Sequence, residues 1–302
     1  MAINFDNVFP YNKIEEVTVD GQKMVKFPKT YVKSGYAPEG SEYAGKRIWL
    51  VSEYPRDGFR VHPAFMHNGK ELDYFLLGAY EASKGSSNKP ESLSGKTPWV
   101  NISYNDAVPA CKTRNTGNSG SEQYGWHIMN VYEWNFVSLL MLIELGTPDV
   151  QTAIGSGNSS SSAAVSTGSS NAVWRGLHEH WGNVWKITDG LKTDSNKQVL
   201  IWDNQGYETW VSTGMTGDTN GFALDEGDSF SFMDLLIPGN DGSNTSFASS
   251  TADYAYYGAN CVLYTGGHWR NGAYCGAFYF DVDCSASGSY SNLGFRLAKY
   301  DI

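Results

Sequence analysis

The sequence predicts an α+β protein. Three observations carry this: a strongly marked helix at about 131–145, a first helix opening after Ser103, and a second half made of short apolar runs between turns. At 302 residues the chain can bury a large core, as one big domain or as two.

Each element follows from local chemistry. Residues 1–60 alternate short apolar runs, Met24–Phe27 and Ile48–Val51, with Gly and Pro turns, the pattern of strands. Trp99-Val100-Asn101-Ile102 reads as a short strand. Ser103 then caps a helix carrying Ala107, which Pro109 should kink or end. Cys111 reads as a small buried apolar residue. Asn130 is a good N-cap for the next helix, with Glu133 placed to reach back to the cap's amide. Val131, Trp134, Met141 and Leu145 recur at helical spacing, Gly146 supplies a left-handed stop, and Pro148 forbids continuation. The Ser/Gly tract at 155–171 cannot offset its ordering entropy by apolar burial, which predicts a flexible surface insertion. Beyond Val173 short strands are expected at Val199–Trp202, Thr209–Val211, Ala277–Phe280 and Phe295–Leu297.

Composition excludes several function classes. With 22 basic and 32 acidic residues the net charge is −10, which disfavours nucleic acid as a partner. No apolar run reaches the ~18 residues of a membrane helix, so membrane insertion is not expected, and the N-terminus shows no signal peptide. Cys111, Cys261, Cys275 and Cys284 form no C-x-x-C pair and no disulfide framework, so reduced thiols are expected. The sequons at Asn101, Asn158 and Asn244 are accordingly expected to stay unmodified.

No catalytic constellation stands out, and no metal site is expected. His178-Glu179-His180 would place two imidazoles on one strand face, but no third ligand follows at a recognisable spacing. Asp218-Thr-Asn220-Gly221 begins like a calcium loop and lacks the closing Glu. No cofactor is expected, with structural calcium in such loops the open alternative. There is no nucleophile elbow, P-loop or dinucleotide fingerprint.

Four segments, in order, resemble the formylglycine-generating-enzyme version of the C-type lectin fold. They are Pro98-Trp-Val-Asn-Ile-Ser-Tyr-Asn-Asp-Ala107, His127-Ile-Met-Asn-Val-Tyr-Glu-Trp134, Trp181-Gly-Asn-Val-Trp185, and Gly266-Gly-His-Trp269 with Gly294-Phe-Arg296. Within that superfamily the C-terminus is most similar to the variable proteins of diversity-generating retroelements. There a scaffold of Gly-Gly-x-Trp, Gly-x-Phe-x-Phe, Ser-Ala-Ser and Gly-Phe-Arg alternates with positions mutated at template adenines. AAC or AAT codons changed at their adenines never yield Lys, Glu, Gln, Met or Trp. Between Gly266 and Arg296 the only member of that set is Trp269, a scaffold position.

The resemblance implies a ligand-binding protein with a hypervariable surface, attaching a virus or cell to a protein or glycan target on a cell surface. Its variable positions would be His268, Arg270, Ala273, Tyr274, Asp281, Asp283, Cys284, Gly288, Tyr290 and Asn292. A surface of Tyr, Ser, Gly and Asn has paratope composition, with Tyr274 and Tyr290 as anchors and His268, Arg270, Asp281 and Asp283 as polar contacts. Phe278, Phe280 and Trp269 are expected to face the core. Upstream, Phe59-Arg-Val-His-Pro-Ala-Phe65, Gly69-Lys-Glu-Leu-Asp73 and Gly78-Ala-Tyr-Glu-Ala82 resemble segments of phage tail-fibre proteins, which implies a virion or cell-surface location.

The division expected is a β-rich segment over 1–94, packed on or continuous with a lectin-fold domain over 95–302 whose variable region spans about 256–297. Two alternatives stand beside this reading. One is a non-diversified structural tail protein. The other is a copper-dependent oxidase using Cys275 and Cys284, against which Thr265 stands where the enzymes carry Arg. No coiled coil specifies an oligomeric state.

Overall fold

A computed structural model of the chain describes residues 3–42, 44, 47–217, 226–227, 230–231, 253 and 255–302. Its strands of three residues or more are β1 (Glu15–Val19), β2 (Gln22–Pro28), β3 (Tyr31–Tyr36), β4 (Arg47–Ser52), β5 (Tyr74–Gly78), β6 (Trp126–Ile128), β7 (Trp185–Thr193), β8 (Gln198–Trp202), β9 (Trp210–Thr216), β10 (Ala255–Tyr257), β11 (Val262–Thr265), β12 (Phe280–Cys284), β13 (Leu293–Phe295) and β14 (Leu297–Tyr300). The helices are α1 (Tyr104–Lys112), α2 (Val131–Leu145) and the one-turn α3 (Val150–Ala153). The fold is α+β, with two helices early and a strand-rich, loop-heavy second half.

One antiparallel sheet has the order β1-β2-β5-β14-β6, so the last strand of the chain lies between two strands from its first half. Alternation along β2 and β5 sends Val25, Phe27, Phe75 and Leu77 to one face and Met24 and Leu76 to the other. α2 covers the first face through Phe136, Val137 and Leu140, while α1 covers the second through Ala107 and Cys111. A second sheet runs β9-β8-β7-β11-β12-β10, with β13 pairing β7 in parallel. β3, β4 and the short strand Arg60–Val61 make a third.

α2 has the predicted limits. Asn130 accepts from the Tyr132 and Glu133 amides, Glu133 accepts from the Asn130 amide at 2.9 Å, and Gly146 closes the helix at φ +65°. Every residue from Val131 to Met141 is buried, so α2 is a central helix and the amphipathic spacing understates its burial. Ser103 caps α1 as expected, but Pro109 does not end it: the helix continues to Lys112. Pro109 is exposed, so the Asn105 carbonyl it leaves without a helical donor can turn to water.

Other expectations are corrected. Trp99–Ile102 is not a strand, because Asn101 sits at φ +56° and breaks the pleat; only Pro98 bridges to Ser83. The strand predicted at Ala277–Phe280 begins only at Phe280, since residues before it turn so that the Phe278 amide can meet Asp253 Oδ2 at 2.8 Å. The strand predicted at Phe295–Leu297 is two strands. The chain crosses from the second sheet to the first at Arg296, whose buried guanidinium donates to the carbonyls of Gly78, His178 and Glu179.

The Ser/Gly tract carries no helix or strand, yet it is tied to the body. Buried Glu179 accepts from the Gly168 amide at 3.0 Å and from the Ser170 hydroxyl at 3.0 Å. Asn183 Oδ1 accepts from the Val165 amide at 2.8 Å, and the Thr167 hydroxyl donates to the Leu93 carbonyl at 2.6 Å. These polar partners oppose the entropy of ordering the tract, a contribution that apolar burial does not supply here.

Candidate functional site

The site grows from the Gly266-Gly267 turn after β11. Both glycines are left-handed, at φ +82° and +77°. A Cβ at Gly266 would lie 2.5 Å from the His180 carbonyl oxygen, and one at Gly267 would lie 2.6 Å from Cys275 Sγ. No other residue type fits this close approach. The chain then forms a loop over 268–275, ending in a 3-10 turn at Gly272–Tyr274.

Conspicuously, this loop's backbone is held by residues outside the ten candidate positions. The Trp269 amide donates to the Asn183 carbonyl at 3.0 Å, the Ser161 amide to the Trp269 carbonyl at 2.8 Å, and the Gly272 amide to the Ser159 carbonyl at 2.7 Å. Gln151 Nε2, from α3, donates to the Gly272 carbonyl at 3.0 Å and also to that of Cys275. The Ser/Gly tract therefore frames the site, a role its composition did not signal.

A second loop, 285–292, follows β12 and is anchored in the same way. The Asn105 amide donates to the Ala286 carbonyl at 3.1 Å, the Asn101 amide to that of Tyr290 at 3.0 Å, and the Trp185 amide to that of Asn292 at 2.8 Å.

Between the two loops lies a cleft of about 350 Å³. Six of the ten predicted positions line it: His268, Asp281, Asp283, Cys284, Tyr290 and Asn292. The other four do not. Arg270, Ala273 and Tyr274 are exposed on the first loop, and a Cβ at half-buried Gly288 would lie 3.1 Å from the Tyr290 ring. Tyr274 and Tyr290 are each 51% exposed. Phe278 and Phe280 are buried as expected, whereas Trp269 is only half-buried, with the Arg270 guanidinium 5.1 Å from its ring centre. Sequence reasoning missed Tyr264, Asn271 and Leu293 as lining residues and took Trp185 only as part of a motif. Tyr264 faces Asp281 across the β11–β12 register, a pairing that no local pattern announces.

Electrostatics in the cleft are set by burial. Burial, then the charge of Asp283 and a hydrogen bond with it, pushes the Asp281 carboxyl up to about 8. Burial, then Arg270 and Lys186, pushes the His268 imidazole down to about 4, leaving it neutral. The Tyr264 hydroxyl is raised well above its usual range by burial and by neighbouring Cys284 and Asp283. Asp281 Oδ1, Tyr264 Oη and His268 Nδ1 are buried polar atoms without a hydrogen-bond partner.

The copper alternative does not fit the thiols. Cys275 is buried and donates to the His268 carbonyl at 3.2 Å, whereas Cys284 lines the cleft. Burial pushes both thiols up to about 12, away from the thiolate that a soft cation binds.

The His178–His180 segment holds no metal geometry either. Glu179 sits at φ +51°, which breaks the strand alternation. His178 stacks on Tyr80 at 4.6 Å, and His180 is buried with its Nε2 3.3 Å from the Ser138 hydroxyl. Among the described residues no group of three or more His, Cys, Asp or Glu is arranged to hold a metal ion. The calcium-like loop at Asp218–Gly221 and the sequon at Asn244 lie outside the described residues.

No family model matches the sequence, and no curated protein matches it. Among solved structures the chain is similar to Treponema denticola variable protein 1, at 15% identity over 95% of this chain and 98% of that one, with a TM-score of 0.42. It is similar also to a Major Tropism Determinant P3c variant, at 10% identity over 95% and 81% with a TM-score of 0.38, and to PvdO from Pseudomonas aeruginosa, at 10% over 95% and 98% with a TM-score of 0.43.

Proposed function

We propose that the chain is a ligand-binding protein whose C-terminal loops form a recognition face, attaching a virus or cell to a surface target, and that this face is diversified at the ten positions named above. The observation that carries the reading is the division of labour in the two loops. Their backbones are fixed by Asn101, Asn105, Gln151, Ser159, Ser161, Asn183 and Trp185, none of which is a candidate variable position. Side chains at 268, 270, 273, 274, 281, 283, 284, 290 and 292 can therefore change without loss of the bonds that shape the loops. Position 288 is the tightest of the ten.

The composition of the face supports the same reading. Exposed Tyr274 and Tyr290 offer large amphipathic rings at low entropic cost, flanked by Arg270 and Asp283. The sequence resemblance to variable proteins agrees with it. No described helix is long and apolar enough to cross a membrane, so display on a virion tail or through another surface component is the location proposed.

Resequencing codons 255–302 across the source population, with codons 95–145 as control, tests the reading. Substitutions concentrated at the ten positions, with Trp269 and Phe295 constant, are expected. Even, sparse variation in both windows would remove diversification. Retained target attachment in a folded Tyr274→Ala, Tyr290→Ala double variant would remove the recognition face itself.

A further inference from the structure

The chemistry of the cleft indicates what it holds, given that the C-terminal face binds a ligand at all. Asp281 and Asp283 lie two residues apart on β12, and both line the cleft beside a break in the β11–β12 register. Tyr264 is directly opposite Asp281 in register and only 3% exposed, yet its hydroxyl has no partner. His268, 8% exposed, lines the same cleft, and its buried Nδ1 has no partner among the described residues. Trp185 and Tyr290 contribute aromatic walls. Among the described residues no lysine or arginine lines the cleft.

Three of the buried polar atoms that lack a protein partner lie around this one cleft, where a ligand can complete them. At neutral pH Asp281 keeps its proton, and the remaining charge of the pair, on Asp283, disfavours an anion. A neutral sugar could satisfy the hydroxyl and the imidazole but would leave the carboxylate charge uncompensated. A donor-rich cation answers every feature: it neutralises the carboxylates, donates to the spare acceptors and lies against the aromatic rings.

We propose that the cleft takes a cationic side chain, the guanidinium of an arginine or the ammonium of a lysine, presented by a protein target.

Such an occupant makes binding pH-dependent in a defined direction. The titratable groups around Asp281 are Asp283 and Cys284 on β12, Tyr264 and Cys261 at β11, Tyr256 on β10, and His268 and Tyr290 from the loops. The nearby cations Arg270 and Lys186 act on His268. Cys284 and Tyr264 keep their protons through neutral pH and His268 stays neutral, so the Asp281–Asp283 pair governs the response. With Asp281 titrating at about 8, a cation must displace its proton at pH 6 but not at pH 9. Affinity should rise by up to about tenfold per pH unit below pH ~8 and level off above it.

The test titrates methylguanidinium into the full chain at pH 6.0 and pH 8.5, following tryptophan indole resonances, with n-butylammonium, acetate, methyl galactoside and calcium in parallel. Saturable binding of the two organic cations is expected, at least tenfold tighter at pH 8.5, and lost in folded Asp281→Asn. Asp283→Asn, at an exposed position, serves if the first variant unfolds. Saturation by methyl galactoside or calcium in preference to the cations would overturn the proposal, as would the absence of any cation binding. Codon variation concentrated at the ten positions alongside such a failure would leave the recognition face standing and sink only its cation chemistry.

Discussion

Lys186 Nζ lies 3.2 Å from Glu81 Oε1, and both side chains are fully buried. The same ammonium donates to the Gly182 carbonyl at 2.6 Å, while Glu81 accepts from Asn183 Nδ2 and the Val184 amide. The Trp181-Gly-Asn-Val-Trp185 motif is thus a polar clamp beneath the candidate cleft. Burial pushes the Glu81 carboxyl up to about 7, partly countered by Lys186. Removing one partner leaves the other buried and uncompensated. Glu81→Ala is expected to cost about 3–5 kcal/mol in urea denaturation, with much of the loss recovered in Glu81→Leu, Lys186→Met.

Glu179 fastens the Ser/Gly tract through Gly168 and Ser170. Glu179→Ala should free the tract, and limited proteolysis should then cut within 155–171 at least tenfold faster than in the parent. Unchanged cleavage would mean that Asn183 and Thr167 suffice to hold it.

The two exposed tyrosines carry little of the fold. Tyr274→Ala and Tyr290→Ala should each change unfolding stability by less than about 0.5 kcal/mol, since both side chains are half exposed. A loss several times larger would assign them a structural role.

Acid should weaken the protein through its buried imidazoles. Burial holds His180 well below the usual histidine range and His268 down to about 4. Unfolded histidines take up protons below pH ~6.5 that the folded ones refuse, so the stability these two contribute is present above that pH and lost as pH drops toward 4, while Glu81 and Asp281, raised by burial, contribute in the opposite sense. Each such histidine contributes a slope of up to about 1.4 kcal/mol per pH unit. A folded His268→Asn variant should show a shallower decline in urea midpoints over this range.

Pro109 interrupts the hydrogen-bond ladder of α1 from an exposed position. Pro109→Ala restores a donor for the Asn105 carbonyl and should raise the thermal midpoint, by the equivalent of about 1 kcal/mol.

What the sequence determined by itself lay where the chemistry is local. The Asn130–Glu133 box and Gly146 bound α2, because a cap satisfies backbone groups within its own turn and a left-handed stop needs one permissive residue. Six of the ten candidate positions share one cleft, since β12 carries three of them and the loops that flank it carry the rest.

Tertiary structure alone decided the rest. It turned the Ser/Gly tract into a frame for the candidate site, because the acceptors that order it, Glu179 and Asn183, lie elsewhere in the chain. It divided the Gly-Phe-Arg segment between two sheets, because Arg296 meets carbonyls more than a hundred residues away. It also set Tyr264 against Asp281 and left Tyr264 Oη and Asp281 Oδ1 without a partner among the described residues. A pattern along the chain reports backbone propensity and the face of an element. It carries no record of which distant partner satisfies a buried polar group, and that choice is what shapes this cleft.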